Sequence, residues 1–215
     1  MARIALIGGH GKVALLTAPL LVEAGHTVDA IVRNPDHASD VEATGATAVV
    51  ADVEQLDEAG TEDLLNGYDT VVWSAGAGGG DPERTYAVDR DAAIRTMDAA
   101  AKIGARRYVM VSYFGAGPDH GVPQDSSFHA YADAKTAADA HLESTDLDWT
   151  ILRPSGLTDD PATGAISVGA DQDASQVSRA DVAAAIAAVV ERPESARHVY
   201  EFNQGSTPVA QAFTA

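Results

Sequence analysis

The 215-residue chain contains no cysteine, so disulfide bridges and thiolate chemistry are excluded. Cationic side chains are scarce. Lys12, Lys102 and Lys135 are its three lysines, and 14 basic residues face 32 acidic ones, for a formal net charge of −18. Such a surface disfavours nucleic acid and anionic membrane as partners, since both are polyanions. No apolar run is long enough to cross a bilayer. The first apolar run begins at Ile4, which leaves no signal peptide ahead of the expected fold, and a cytoplasmic protein is expected. No internal repeat is visible. With 46% hydrophobic residues, the chain can bury the core of one α/β domain spanning residues 1–215.

What is present is organised around its start. Ile4–Ile7 is a short apolar run of strand type, Gly8, Gly9 and Gly11 follow at once, and an apolar run with helical spacing begins at Lys12. Strand, glycine turn and helix in that order make a pyrophosphate site. Glycines let backbone approach the anion, and free N–H groups at the helix start point at it. Gly9-x-Gly11-x-x-Ala14 fits the dinucleotide fingerprint, and Gly8-x-x-Gly11-x-x-Ala14 fits its wider variant.

Short β-branched runs then alternate with alanine-rich helical stretches. Strands are expected at Arg3–Ile7, Thr27–Val32, Ala46–Ala51, Thr70–Ser74, Arg107–Ser112, Trp149–Leu152 and His198–Phe202. Helices are expected at Lys12–Ala24, Asp36–Ala43, Leu56–Leu65, Pro82–Ile103, Ser127–Ser144 and Arg179–Glu191, with Pro19 expected to kink the first or weaken it. Alternation of this kind implies right-handed βαβ units and a doubly wound parallel sheet of about seven strands, the Rossmann arrangement. The Gly-, Pro- and Asp-rich segments Gly76–Asp81, Gly115–Asp125 and Pro154–Gly164 then fall at the carboxyl edge of the sheet, where open α/β folds bind ligands.

The glycine turn supplies Gly8, Gly9, His10, Gly11, Lys12 and Val13 as candidate cofactor contacts. At the end of the second strand, where an acidic residue would mark NAD, stands Arg33. A guanidinium suits a 2′-phosphate and points to NADP(H) over NAD(H), with Lys12 as a second cation. Asp52 and Val53 would flank the adenine, and Ser74, Ala75 and Gly76 are small enough for the cofactor to cross the sheet edge. Tyr131 and Lys135 are four residues apart and share a helix face. An ammonium beside a phenol lowers its pKa, which suits proton donation to a carbonyl.

These motifs resemble the short-chain dehydrogenase/reductase superfamily, in its atypical NAD(P)H-binding branch of flavin reductase/biliverdin reductase B-like and epimerase- or dehydratase-like proteins. The resemblance rests on Gly8–Ala14, Val32–Pro35, Asp52, Val109–Gly115, Tyr131–Lys135, Thr150–Pro154 and Ser178–Ala183. It implies hydride transfer to a small carbonyl, quinone or flavin-like acceptor. Tyr131 is then the general acid, Lys135 tunes it and holds the nicotinamide ribose, and Ser112 orients the oxygen with Tyr113 as its rival. Pro154 and Leu157 line the nicotinamide pocket, and Arg179–Asp181 start a helix. Some relatives lack a working Tyr-x-x-x-Lys, and a flavin or quinone could accept hydride without Tyr131. Residues 154–178 form the substrate loops, and His10, Tyr113, Phe114, His120, Phe128 and His129 stand in loops that choose the substrate. A nucleotide-sugar epimerase or dehydratase, and an NADPH-binding redox sensor without turnover, are the rival readings. No metal is expected. Partners are limited to a small-molecule substrate, with a homodimer left open.

Overall fold

The computed structural model describes residues 1–78, 81–169 and 171–213. Positions 79 and 80 of the expected Gly76–Asp81 loop, position 170 of the expected substrate loops and the last two residues of the expected domain lie outside the described residues.

Alternation along the strands decides the layering. In β1 (Arg3–Ile7), Ile4 and Leu6 pack into one apolar layer while Ala5 and Ile7 pack into the other. The same split recurs in β5 (Arg107–Val111), where Val109 faces the first layer and Tyr108 and Met110 the second. A strand buried on both faces has to be apolar throughout, which is why these runs show no polar alternation. Helices α1 (Lys12–Glu23) and α7 (Arg179–Val190) cover the first face. Helices α3 (Glu58–Leu65), α5 (Ala93–Ile103) and α6 (His129–Ser144) cover the second.

The remaining parallel strands are β2 (Thr27–Val32), β3 (Thr47–Val50), β4 (Thr70–Trp73), β6 (Asp148–Pro154) and β10 (His198–Gln204). In space the parallel order is β3-β2-β1-β4-β5-β6-β10, so the chain reverses direction across the sheet between β1 and β4. That reversal opens a crevice at the carboxyl ends of these two strands.

The sheet is larger than expected. It has nine strands rather than about seven, because β8 (Ala165–Val168) and β11 (Thr207–Pro208) add antiparallel at the β10 edge. Residues 154–178, expected as loops, also hold β7 (Gly156–Thr158) and β9 (Gln176–Ser178), which pair in a separate parallel ladder. These runs are two to four residues long, too short to show a period. Two helices also depart from expectation. The Asp36–Ala43 segment is a 3₁₀ turn, Pro35–His37, leading into α2 (Ala38–Glu42). Pro82–Ile103 is continuous but passes from α4 (Pro82–Thr85) through a π-helical stretch, Tyr86–Ala92, into α5. Pro19 sits inside α1 without ending it. The chain closes with α8 (Val209–Ala212).

Candidate active site

The crevice at the strand reversal is a cavity of about 360 Å³. It draws on the segments that follow β1, β2, β3 and β4. Of the sequence candidates it brings together Gly8, His10 and Gly11, then Arg33, then Asp52 and Val53, then Ser74, Ala75 and Gly76.

The glycines are required by backbone and space. Gly8 has φ +83°, and a Cβ there would lie 2.6 Å from the Ala75 Cα. Gly11 caps α1 and donates its N–H to the Gly8 carbonyl at 2.8 Å, and a Cβ on it would stand 3.1 Å from that oxygen. Gly9 serves another end. Its N–H bonds the Ile31 carbonyl at 2.9 Å and a Cβ would meet Ala30 at 2.7 Å, so it lets the turn close on β2 rather than on a ligand. Val13 points into the core. Lys12 does not face the cavity, because its Nζ lies 2.7 Å from Asp159 Oδ2 and that carboxylate also takes Arg179 at 2.7 Å.

Arg33 is exposed at the rim, 3.7 Å from Glu54, whose carboxylate also meets Arg84 at 3.2 Å. One carboxylate thus sits between two guanidiniums. Asp52 turns back into its own loop and accepts the Glu54 N–H at 3.1 Å. His37, Glu54 and Arg84 line the cavity too and were not among the candidates. His37 stands four residues past Arg33, a local signal. Arg84 arrives from α4 through tertiary folding, which no spacing announces.

The Tyr131–Lys135 pair is arranged differently from the expectation. Lys135 is fully enclosed, with Nζ 3.4 Å from Met110 Sδ. Burial pulls its pKa down, opposed by the carboxylates of Asp89 and Asp139. The phenol of Tyr131 is pushed up rather than down, by burial first and then by Asp89, Asp139 and Tyr113. Helical spacing placed the two on one face, but the amine contacts Met110 and feels the charges of Asp89 and Asp139, which spacing could not reveal. Asp89 comes from the π-helical stretch and accepts the Ala77 N–H at 2.9 Å, and burial raises its carboxyl. Asp139 is raised by burial against Arg153, Lys135 and Ser112. Ser112 donates to Asp139 at 2.8 Å and is buried, so its hydroxyl is engaged within this network.

Tyr113, Phe128 and Tyr131 form an aromatic cluster, with centroids 5.2–5.7 Å apart. Phe128 and Leu157 are the exposed large apolar side chains of this end of the molecule. Pro154 is buried within β6, and Leu157 lies in β7, its carbonyl 3.3 Å from an Arg179 nitrogen. Neither lines the cavity. His120 and His129 meet each other edge to face at 5.6 Å, and Phe114 bonds the Pro154 carbonyl through its N–H at 2.9 Å. No His, Asp and Glu cluster fit to hold a metal occurs among the described residues.

A doubly wound sheet with a glycine turn at its reversal point, opening on a cavity at the carboxyl ends of its strands, defines a Rossmann-type dinucleotide-binding protein. The family model for NAD(P)H-binding proteins matches residues 8–193, and the chain belongs to that family, within the atypical short-chain dehydrogenase/reductases. It is 32% identical to the uncharacterized sugar epimerase YhfK of Bacillus subtilis over 98% of both chains. A Bacillus halodurans structure, described provisionally as an NAD-dependent epimerase/dehydratase, superposes with a TM-score of 0.89 at 32% identity, covering 98% of this chain and 97% of that one. ChuY, an anaerobilin reductase of Escherichia coli O157:H7, superposes with a TM-score of 0.77 at 27% identity, over 95% of this chain and 98% of that one.

Proposed function

We propose that this protein is an NADPH-dependent reductase of a small carbonyl, quinone or flavin-like acceptor. The observation that carries the reading is Arg33 at the cavity rim, where an acidic side chain would hold the ribose hydroxyls of NAD. The residues present fit the cofactor. Gly8 lets the turn pack against the Ala75 backbone, Gly11 lies on the cavity wall with no side chain to obstruct it, and the start of α1 offers free N–H groups to a pyrophosphate. Ser74–Gly76 give a small-residue path over the sheet edge.

When bound, the reduced nicotinamide supplies a hydride. The chain's own part is to hold the acceptor and deliver a proton. Tyr113, Phe128 and Tyr131 offer aromatic faces to a flat acceptor. Tyr131, its phenol held protonated across neutral pH, donates to the acceptor oxygen or nitrogen and is reprotonated from water. This is a weaker acid than a lysine-tuned phenol, and it favours acceptors that need little acid assistance, such as quinones and flavins, over simple carbonyls.

The test is multiple-turnover oxidation of NADPH with FMN, a benzoquinone and a small aldehyde, run with wild type and Tyr131→Phe side by side. Turnover with at least one acceptor is expected. In the variant, aldehyde reduction should fall by about 100-fold, the scale of lost general acid catalysis. Binding of NADPH without turnover on any acceptor would leave the sensor reading. The Bacillus relatives' descriptions favour a second reading, a sugar epimerase, and turnover of a nucleotide sugar with no net consumption of cofactor would support it.

A further inference from the structure

Two imidazoles in the cavity have no stated part in the proposed reaction. His10 belongs to the glycine turn and His37 ends the 3₁₀ turn after β2. Their rings stack with centroids 3.6 Å apart and planes 12° from parallel. Both line the cavity alongside Arg33. The outer end of the stack is fixed, since His10 Nε2 lies 2.9 Å from Asp40 Oδ2 on α2. The other charged groups lining the cavity are Arg33, Asp52, Glu54 and Arg84. Glu54 is shared between the two arginines, and Asp52 is turned into its own loop. His37 is therefore the imidazole of this cavity with no carboxylate engaged to it among the described residues, and it lines the same cavity as the one cation read as a phosphate contact.

We propose that the His10–His37 stack makes the choice between the two nicotinamide dinucleotides proton-linked. The cofactor carrying the 2′-phosphate draws a proton onto the stack as it binds, and the cofactor lacking it does not. The inference rests on the reading of Arg33 as the contact for that phosphate. Imidazole is the side chain that changes charge near neutrality. A phosphate monoester carries a charge of about −1.5 to −2 at pH 7. Set against Arg33 in the cavity that His37 also lines, it adds negative charge there and favours the cationic ring. Two imidazolium rings at the stacking distance repel each other, so the pair takes up one proton rather than two. Asp40 balances that charge from the far side of His10.

The experiment is isothermal calorimetry with NADPH and with NADH at about pH 7.5, in two buffers of different ionisation enthalpy, which reads the protons exchanged. Wild type should take up about 0.3–1 proton per NADPH and essentially none per NADH. His37→Gln, checked by circular dichroism, should still bind NADPH but lose the uptake, and His10→Gln serves as the second variant. The NADPH-to-NADH affinity ratio of the wild type should rise about 3- to 10-fold between pH 8 and pH 6.5. Proton release on NADPH binding would make the phosphate itself the titrating group and overturn the inference. So would equal uptake in wild type and His37→Gln. Equal affinity for the two cofactors at every pH would overturn the reading of Arg33 and the inference with it. Unequal affinities with no difference in proton uptake would overturn the inference alone.

Discussion

At the scale of single residues, the site is a set of charges placed by different strands, and its parts should respond separately. On the proposed reading, Arg33 gives the 2′-phosphate a charge-assisted hydrogen bond, worth about 1.5–3 kcal/mol. Arg33→Ala should weaken NADPH by about 10- to 100-fold and leave NADH nearly unchanged, as read by calorimetric titration. An equal loss for both cofactors would remove Arg33 from phosphate recognition. Lys135 is enclosed near the carboxylates of Asp89 and Asp139, so truncating it removes a buried cation from both and leaves Asp139 with Arg153 at 3.0 Å. Lys135→Met should destabilise the fold by about 3–5 kcal/mol in urea melts, the usual cost of stripping one partner from a buried ion cluster. An unchanged midpoint would show that the cluster is not charged in the folded protein. The sequence made Arg33 legible because the end of the second strand is a fixed position relative to the glycines. It hid the surroundings of Lys135, because Asp89 is 46 residues away along the chain and comes within reach of its charge only through tertiary folding.

At the scale of elements, the glycine turn and the start of α7 carry the strongest constraints. Gly11→Val would push a branched side chain into the cavity mouth while leaving the sheet intact. Cofactor binding should be lost with circular dichroism unchanged, and retained binding would put the phosphates elsewhere. Asp181 has a purely architectural role. It accepts from the N–H groups of Thr163 and Gly164 and from the hydroxyls of Thr163 and Ser178, all at 2.8–3.1 Å, tying α7 to the loop before β8. Burial works against its charge, but these donors win and hold its carboxyl below the ordinary value. A depressed carboxyl contributes stability that is present above its unfolded pKa and lost as pH falls through the folded one. Asp181→Asn should lower stability by about 1.5–3 kcal/mol at pH 7, and the gap to wild type should close below about pH 4 in thermal melts. A gap that persists there would assign the loss to shape rather than charge. The seven parallel strands were legible because each carries β-branched or aromatic residues in a short run bounded by turn residues. The strands β7, β8, β9 and β11 were not, since their pairing depends on where β10 and the 154–178 segment come to rest.

At the scale of the whole molecule, the net charge of −18 sets a repulsion that the fold has to overcome. Salt screens it, with a Debye length falling from about 10 Å at 0.1 M to about 3 Å at 1 M. The melting temperature should therefore rise with sodium chloride over that range, and a steady fall would mean that specific ion pairs outweigh the repulsion. In this acidic protein the cavity is a place where Arg33, Arg84 and the start of α1 offset the carboxylates of Asp52 and Glu54, which on the proposed reading suits an anionic small molecule. The most direct measurement is a side-by-side calorimetric titration of the wild type with NADPH and NADH at neutral pH. One site per chain with NADPH bound at least about 10-fold more tightly is the predicted result. Equal affinities, tighter NADH, or no binding of either would contradict the account.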